Sequence, residues 1–138
     1  MPAPRPAASF TILVIDDDAP VRDMVTEVLE ADGHLVFGAS GGEEGLAIVE
    51  AVVPDLILVD RHLPGMNGLE VVRRLRTGAA TRRTPIVAMT SAIGEEASKL
   101  TRAGCIAFIP KPFNPTEFRR LIADLIRVTI ARRHHDSS

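Results

Sequence analysis

Apolar and polar positions alternate along the chain in blocks. Thr11-Ile12-Leu13-Val14-Ile15 is an apolar run rich in β-branched residues, the pattern of a strand buried on both faces. It stops at Asp16-Asp17-Asp18. Beyond the stop, Val21, Met24, Val25, Val28 and Leu29 recur at i, i+3, i+4, i+7 and i+8, one face of an α-helix. Pro20 suits the start of that helix, Asp18 its N-cap and Gly33 a left-handed C-terminal stop.

The same alternation continues to the far end. His34 to Ala39 reads as a weaker strand, and Glu43 to Ala51 as a helix starting near Gly41 and barred from continuing by Pro54. Leu56-Ile57-Leu58-Val59 is a second strong buried strand, ending in Asp60. Pro64, Gly65, Asn67 and Gly68 mark a loop, and Leu69, Val72 and Leu75 the helix after it. Pro85 to Met89 leads a strand into Thr90-Ser91, and a helix from Glu95 to Ala103 is stopped by Gly104. Cys105 to Ile109 is the last strand, running into Pro110-Lys111-Pro112. Asn114-Pro115-Thr116-Glu117 then sets a cap, a first-turn Pro and a Glu, ahead of a stripe of Phe118, Leu121, Ile122, Leu125 and Ile126.

Five β-α units joined by short connections predict an α/β fold, with parallel strands and helices on both faces. Right-handed crossovers make this a doubly wound sheet; periodicity alone leaves the strand order open. The expected organisation is a Pro/Ala-rich tail over residues 1–9, one domain over 10–130 and a polar tail over 131–138.

Composition narrows the function. The 138 residues, 46% of them hydrophobic, suit a single core. A net charge of -2 with no Trp or Tyr gives no basic or aromatic platform for nucleic acid. No apolar run approaches the roughly 20 residues of a membrane span. Residues 1–9 have no signal-peptide core, and the lone Cys105 cannot form an internal disulfide, so a reducing cytoplasmic setting is expected.

In open α/β sheets, ligands bind beyond the carboxyl ends of the strands. Asp16 and Asp17 follow the first strand, Asp60 ends the third, Thr90 follows the fourth and Lys111 the fifth. Singly, each has an ordinary explanation: a helix cap, a turn, a surface lysine. Together they share one edge. Three carboxylates there repel one another, and one lysine cannot balance them, whereas a divalent cation can. Oxygen-only ligands point to Mg²⁺, or Mn²⁺ in its place. Asp60 is then placed as a carboxylate nucleophile toward phosphorus. Lys111 would offset charge on the transferred group, and the Thr90 hydroxyl would donate to it.

These residues resemble the receiver domain of two-component response regulators. The resemblance rests on Ile-Leu-Val-Ile-Asp-Asp-Asp at 12–18, Pro-Asp-Leu-Ile-Leu-Val-Asp at 54–60, Leu-Pro-Gly-Met-Asn-Gly at 63–68, Ala-Met-Thr-Ser-Ala at 88–92 and Ala-Phe-Ile-Pro-Lys-Pro-Phe at 107–113. It implies a flavodoxin-like sheet with strand order 2-1-3-4-5. It implies Asp60 as phosphoacceptor, Asp17 as a direct metal ligand, Asp16 acting mainly through water, and the backbone carbonyl of His62 as a further ligand. Thr90 and Lys111 become phosphoryl sensors and Phe108 the aromatic switch residue, without the hydroxyl of tyrosine-bearing relatives. Lys111-Pro112 falls where the family has a cis peptide. His62, two residues after the acceptor, sits where a side chain influences hydrolysis.

The expected function is therefore a stand-alone, non-enzymatic phosphoacceptor switch. A histidine kinase or a histidine phosphotransfer protein would supply the phosphoryl group, and the face of helix four, strand five and helix five would engage a downstream protein. Direct nucleic-acid or membrane binding is not expected. A phosphorelay shuttle and a receiver fragment of a hybrid kinase are the alternatives. A haloacid-dehalogenase-like phosphohydrolase fits less well, because His62 stands where those enzymes usually carry a second acid and no cap domain is apparent. A nucleotide or flavin binder lacks its glycine-rich loop. Cys105 reads as a small buried hydrophobe, His134 and His135 as tail, and Arg119, Arg120 and Arg127 as a solvated face.

Overall fold

The computed structural model describes residues 9–130. The expected tails, with His134 and His135, lie outside them except for Ser9. The elements run β1 (Thr11–Ile15), α1 (Ala19–Ala31), β2 (Leu35–Ala39), α2 (Gly42–Ala51), β3 (Leu56–Asp60), α3 (Gly68–Thr77), β4 (Ile86–Met89), α4 (Glu95–Ala103), β5 (Ala107–Ile109) and α5 (Pro115–Leu125), which passes into a π-helical turn at Ile126–Ile130. All five predicted β-α units are present. β5 is the main departure, three residues rather than five: the Cys105 N–H still bonds back to the Leu100 carbonyl of α4 at 3.0 Å, and Ile106 makes one bond to β4, from its N–H to Ile86 O at 2.9 Å, ahead of the strand proper.

The strands form one parallel sheet in the order β2-β1-β3-β4-β5, the doubly wound order that the resemblance implied. Side-chain alternation along the strands sends residues to two cores. Leu13, Ile15, Ile57, Val59, Ile86 and Ala88 face one, with Val71, Val72, Leu75 and Leu100 of α3 and α4. Ile12, Val14, Leu56, Leu58, Val87, Met89 and Ile109 face the other, with Val25, Leu29, Phe118 and Ile122 of α1 and α5. Because helices cover both faces, every residue of β3 is buried. Each such aliphatic side chain contributes roughly 1.5–3 kcal/mol, more than the ~1 kcal/mol of a typical helix cap, so burial outweighs local signals in holding the sheet.

Caps nevertheless set the helix limits. The Asn67 and Asn114 side chains accept from the N–H groups of Glu70 and Glu117 at 3.0 and 2.8 Å. Asp18 accepts more weakly from Val21 N–H, at 3.4 Å. At the end of α1, Gly33 takes φ +93°; its N–H bonds Glu30 O, and His34 N–H bonds Leu29 O. That pair of bonds closes a left-handed C-terminal cap. Among the described residues, no helix is long and apolar enough to cross a membrane.

Candidate functional site

The parallel register assembles the polar residues. Ile15 pairs with Val59, and Asp60 with Met89, so Asp16 falls beside Asp60 and Thr90 one step beyond the next strand. Thr90 N–H is held by Ile109 O at 2.9 Å, which places Lys111 two residues farther along the same edge. Asp16 is fully buried, and Asp60 and Thr90 are each 5% exposed. Asp17, by contrast, is exposed. One carboxylate oxygen from each of Asp16, Asp17 and Asp60 lies within 4.8 Å of the others, an arrangement able to hold a metal ion.

Lys111 ties the carboxylates together. Its Nζ donates to Asp16 Oδ2 at 2.7 Å and lies 3.4 Å from Asp60 Oδ2. Asp16 Oδ1 accepts the Asp18 N–H at 2.9 Å, and the Asp16 carbonyl accepts from Arg22 Nη1 at 2.7 Å. Asp60 Oδ1 accepts the His62 N–H at 3.2 Å. Burial pushes the Asp60 carboxyl above its ordinary value, and the charge of Asp16 adds to this; the His62 N–H and Lys111 oppose it without prevailing. Burial also works against the Lys111 charge, but the bond to Asp16 and the charges of Asp16 and Asp60 outweigh it and raise its pKa. The shared ammonium thus satisfies itself and leaves Asp60 undercompensated.

The remaining residues frame this pocket. Thr90 Oγ1 accepts from Ala92 N–H at 3.1 Å. Phe108 is half-buried against the core under α2, α3 and α4. The Lys111–Pro112 peptide is cis. The His62 side chain is exposed, with its Nε2 3.3 Å from Arg61 Nη1. Arg61 also pairs with Glu96 of α4 at 2.9 Å.

Sequence reasoning passed over three contributors. Arg22 anchors the Asp16 backbone, and Arg61 bridges the acceptor loop to α4; neither follows a recognisable spacing. Gly68 had a legible signal in Asn67-Gly68, read only as a turn. A Cβ there would collide with the Asp60 carbonyl oxygen and lie 2.7 Å from Arg61 Cα, so the acceptor strand needs a glycine at the start of α3.

Comparison with known proteins matches residues 12–123 to the response regulator receiver domain. The chain belongs to that family. The phosphate regulon transcriptional regulatory protein PhoB of Pseudomonas aeruginosa is 38% identical over 121 residues, which cover 86% of this chain and 52% of PhoB. The chain thus spans about half the length of the first curated relatives it matches. A 14.6 kDa protein from the sodA1 3' region of Leptolyngbya boryana is 34% identical over 83% of this chain and 88% of its own. Among solved structures, the chemotaxis response regulator CheY4 of Vibrio cholerae superposes with a TM-score of 0.79 at 28% identity, covering 86% of this chain and 99% of CheY4. This receiver therefore shares its fold with a family of signalling switches.

Proposed function

We propose that this receiver is a phosphorylation-operated switch whose Asp60 accepts a phosphoryl group from a phosphohistidine. The carrying observation is the convergence of Asp60 with Asp16, Asp17, Thr90 and Lys111 on one sheet edge. An Asp60 carboxylate oxygen forms the new P–O bond as the P–N bond to the donor imidazole breaks, and the electron pair leaves with nitrogen. Lys111 stays near the acceptor to offset charge on the phosphoryl oxygens. The Thr90 hydroxyl, close to the same edge, turns to donate to one of them. That movement opens space for an inward Phe108 and shifts the population of the α4-β5-α5 face toward a partner-binding form.

The donor set suits Mg²⁺. It is made of hard oxygens, and its negative charge exceeds what one ammonium offsets. Asp17 and Asp60 would bind it directly with the His62 carbonyl. Asp16, already engaged by Lys111 and the Asp18 N–H, would act through water. When bound, Mg²⁺ neutralises the carboxylates and stabilises charge on the transferred group.

The test is intact mass after mixing with Mg²⁺ and a small phosphoramidate. Wild type is expected to gain one phosphoryl adduct that EDTA prevents and Asp60→Asn abolishes. An equal adduct in both proteins would overturn the assignment. A stand-alone switch is the reading we adopt, with a phosphorelay shuttle as its variant. The half-length match to PhoB favours a second reading, the receiver part of a longer regulator. The mass of the native gene product separates the two.

A further inference from the structure

We propose that the groove between α2 and the α3–β4 loop binds an acidic, partly apolar segment of another protein. The groove has a volume of about 540 Å³. Its apolar walls include Leu46, Val49 and Val53 on the α2 side and Leu75, Ala79 and Ala80 opposite. Val53 is 53% exposed, so this apolar surface is open to solvent.

The rim is basic. Between residues 71 and 94 there are five arginines and no acid, in a chain whose net charge is -2. Arg74 lines the groove, and Arg82 and Arg83 directly follow its last lining residue, Thr81. Both are exposed, and neither guanidinium has an ion-pair or hydrogen-bond partner among the described residues. Among the described residues, Arg74 pairs only with Glu70, one helical turn away, at 3.2 Å. Arginine forks suit bidentate carboxylate recognition.

The loop that presents them is already ordered. Arg76 Nη1 donates to the carbonyls of Thr81, Arg82 and Thr84 at 3.2, 3.2 and 2.7 Å, and its Nη2 to Gly104 at 2.7 Å. Thr81 Oγ1 donates to Leu75 O at 2.6 Å. The backbone that carries Arg82 and Arg83 is thus fixed before binding, so only their side chains have to be ordered by a partner.

Charge elsewhere limits the partner. Residues 16–60 hold twelve acids against Arg22 alone, and α2, one wall of the groove, carries exposed Glu43, Glu44 and Glu50. A nucleic-acid duplex, with a charge every ~1.7 Å, would be pressed against those acids. A short segment can set its few carboxylates toward Arg82 and Arg83 and keep apolar anchors on the Glu50 side of the groove. The groove is beside the loop that enters β4, so it is at the opposite sheet edge from Asp60. Its occupancy leaves the acceptor open, and the inference does not depend on phosphorylation.

The experiment is fluorescence anisotropy on the full chain with a fluorescein-labelled peptide of mixed glutamate and leucine. Wild type should bind it with an affinity that falls with salt. R82E/R83E should weaken it at least about tenfold, while R120E/R127E, the same charge change on the far helix, should leave it unchanged. Val53→Ser should weaken it too, with circular dichroism confirming the fold of each variant. No binding at millimolar peptide, equal loss in both double variants, or equally tight binding of a labelled DNA duplex would overturn the proposal. Self-association lost in R82E/R83E would also overturn it, assigning the groove to a second copy of the chain.

Discussion

Asp60 carries an electrostatic load that its neighbours only partly relieve. Its pKa is raised by burial and by Asp16, so its ionised form works against folding of the metal-free protein at neutral pH. Asp60→Asn is therefore expected to melt higher than wild type in EDTA. Mg²⁺ should raise the wild-type Tm clearly and the variant's much less; calorimetry with and without the ion reads both. His34 has the opposite sign. Its Nδ1 accepts the Phe10 N–H at 3.1 Å, and burial lowers its pKa against the pull of Asp32. A lowered histidine pKa adds stability that is present above the ordinary value of 6.5 and is lost as pH falls through the folded value. Thermal melts should drop between pH 7.5 and pH 5, and His34→Asn should flatten that slope.

At the scale of elements, close approaches matter more than propensity. Gly68 opens α3 directly against the backbone of Asp60 and Arg61. Gly45 sits within α2, where a Cβ would meet Ile15 Cδ1 at 2.5 Å and Cγ1 at 2.9 Å, side-chain rather than backbone atoms. Gly68→Ala should cost about 1–3 kcal/mol and slow phosphorylation, because backbone atoms cannot yield without moving the acceptor loop. Gly45→Ala should be milder, since a gain of up to ~1 kcal/mol in helix propensity offsets a rotamer shift of Ile15. Denaturant midpoints for the two variants compare them directly. The Arg61–Glu96 pair also joins two elements, but with Glu96 55% exposed it contributes little to stability.

On the scale of the molecule, charge is segregated. The twelve acids of residues 16–60 repel one another, and few cross-links such as Lys111–Asp16 and Arg119–Asp32 answer them. Moving from low salt to about 0.15 M shortens the screening length to ~8 Å, which should raise the Tm by a few degrees. A fall would mean that the ion pairs outweigh the repulsion. The same scale shows which features were legible in the sequence. Strands buried on both faces must be continuously apolar, and helices packed on a sheet must repeat every three to four residues. Both constraints are local, so all five β-α units could be read, along with the polar residues that end or follow the first, third, fourth and fifth strands. The shortened β5 could not, because Cys105 is apolar whether it pairs in a strand or bonds back to the end of α4. Strand order came from the family resemblance, since periodicity does not say which strands lie side by side. Only the tertiary structure decided how the site is wired. Lys111 reaches Asp16 across 95 positions of chain, Gly68 packs on Asp60, and a groove opens between α2 and the α3–β4 loop. These contacts depend on crossover packing and side-chain reach between distant segments, which leave no periodic trace along the chain.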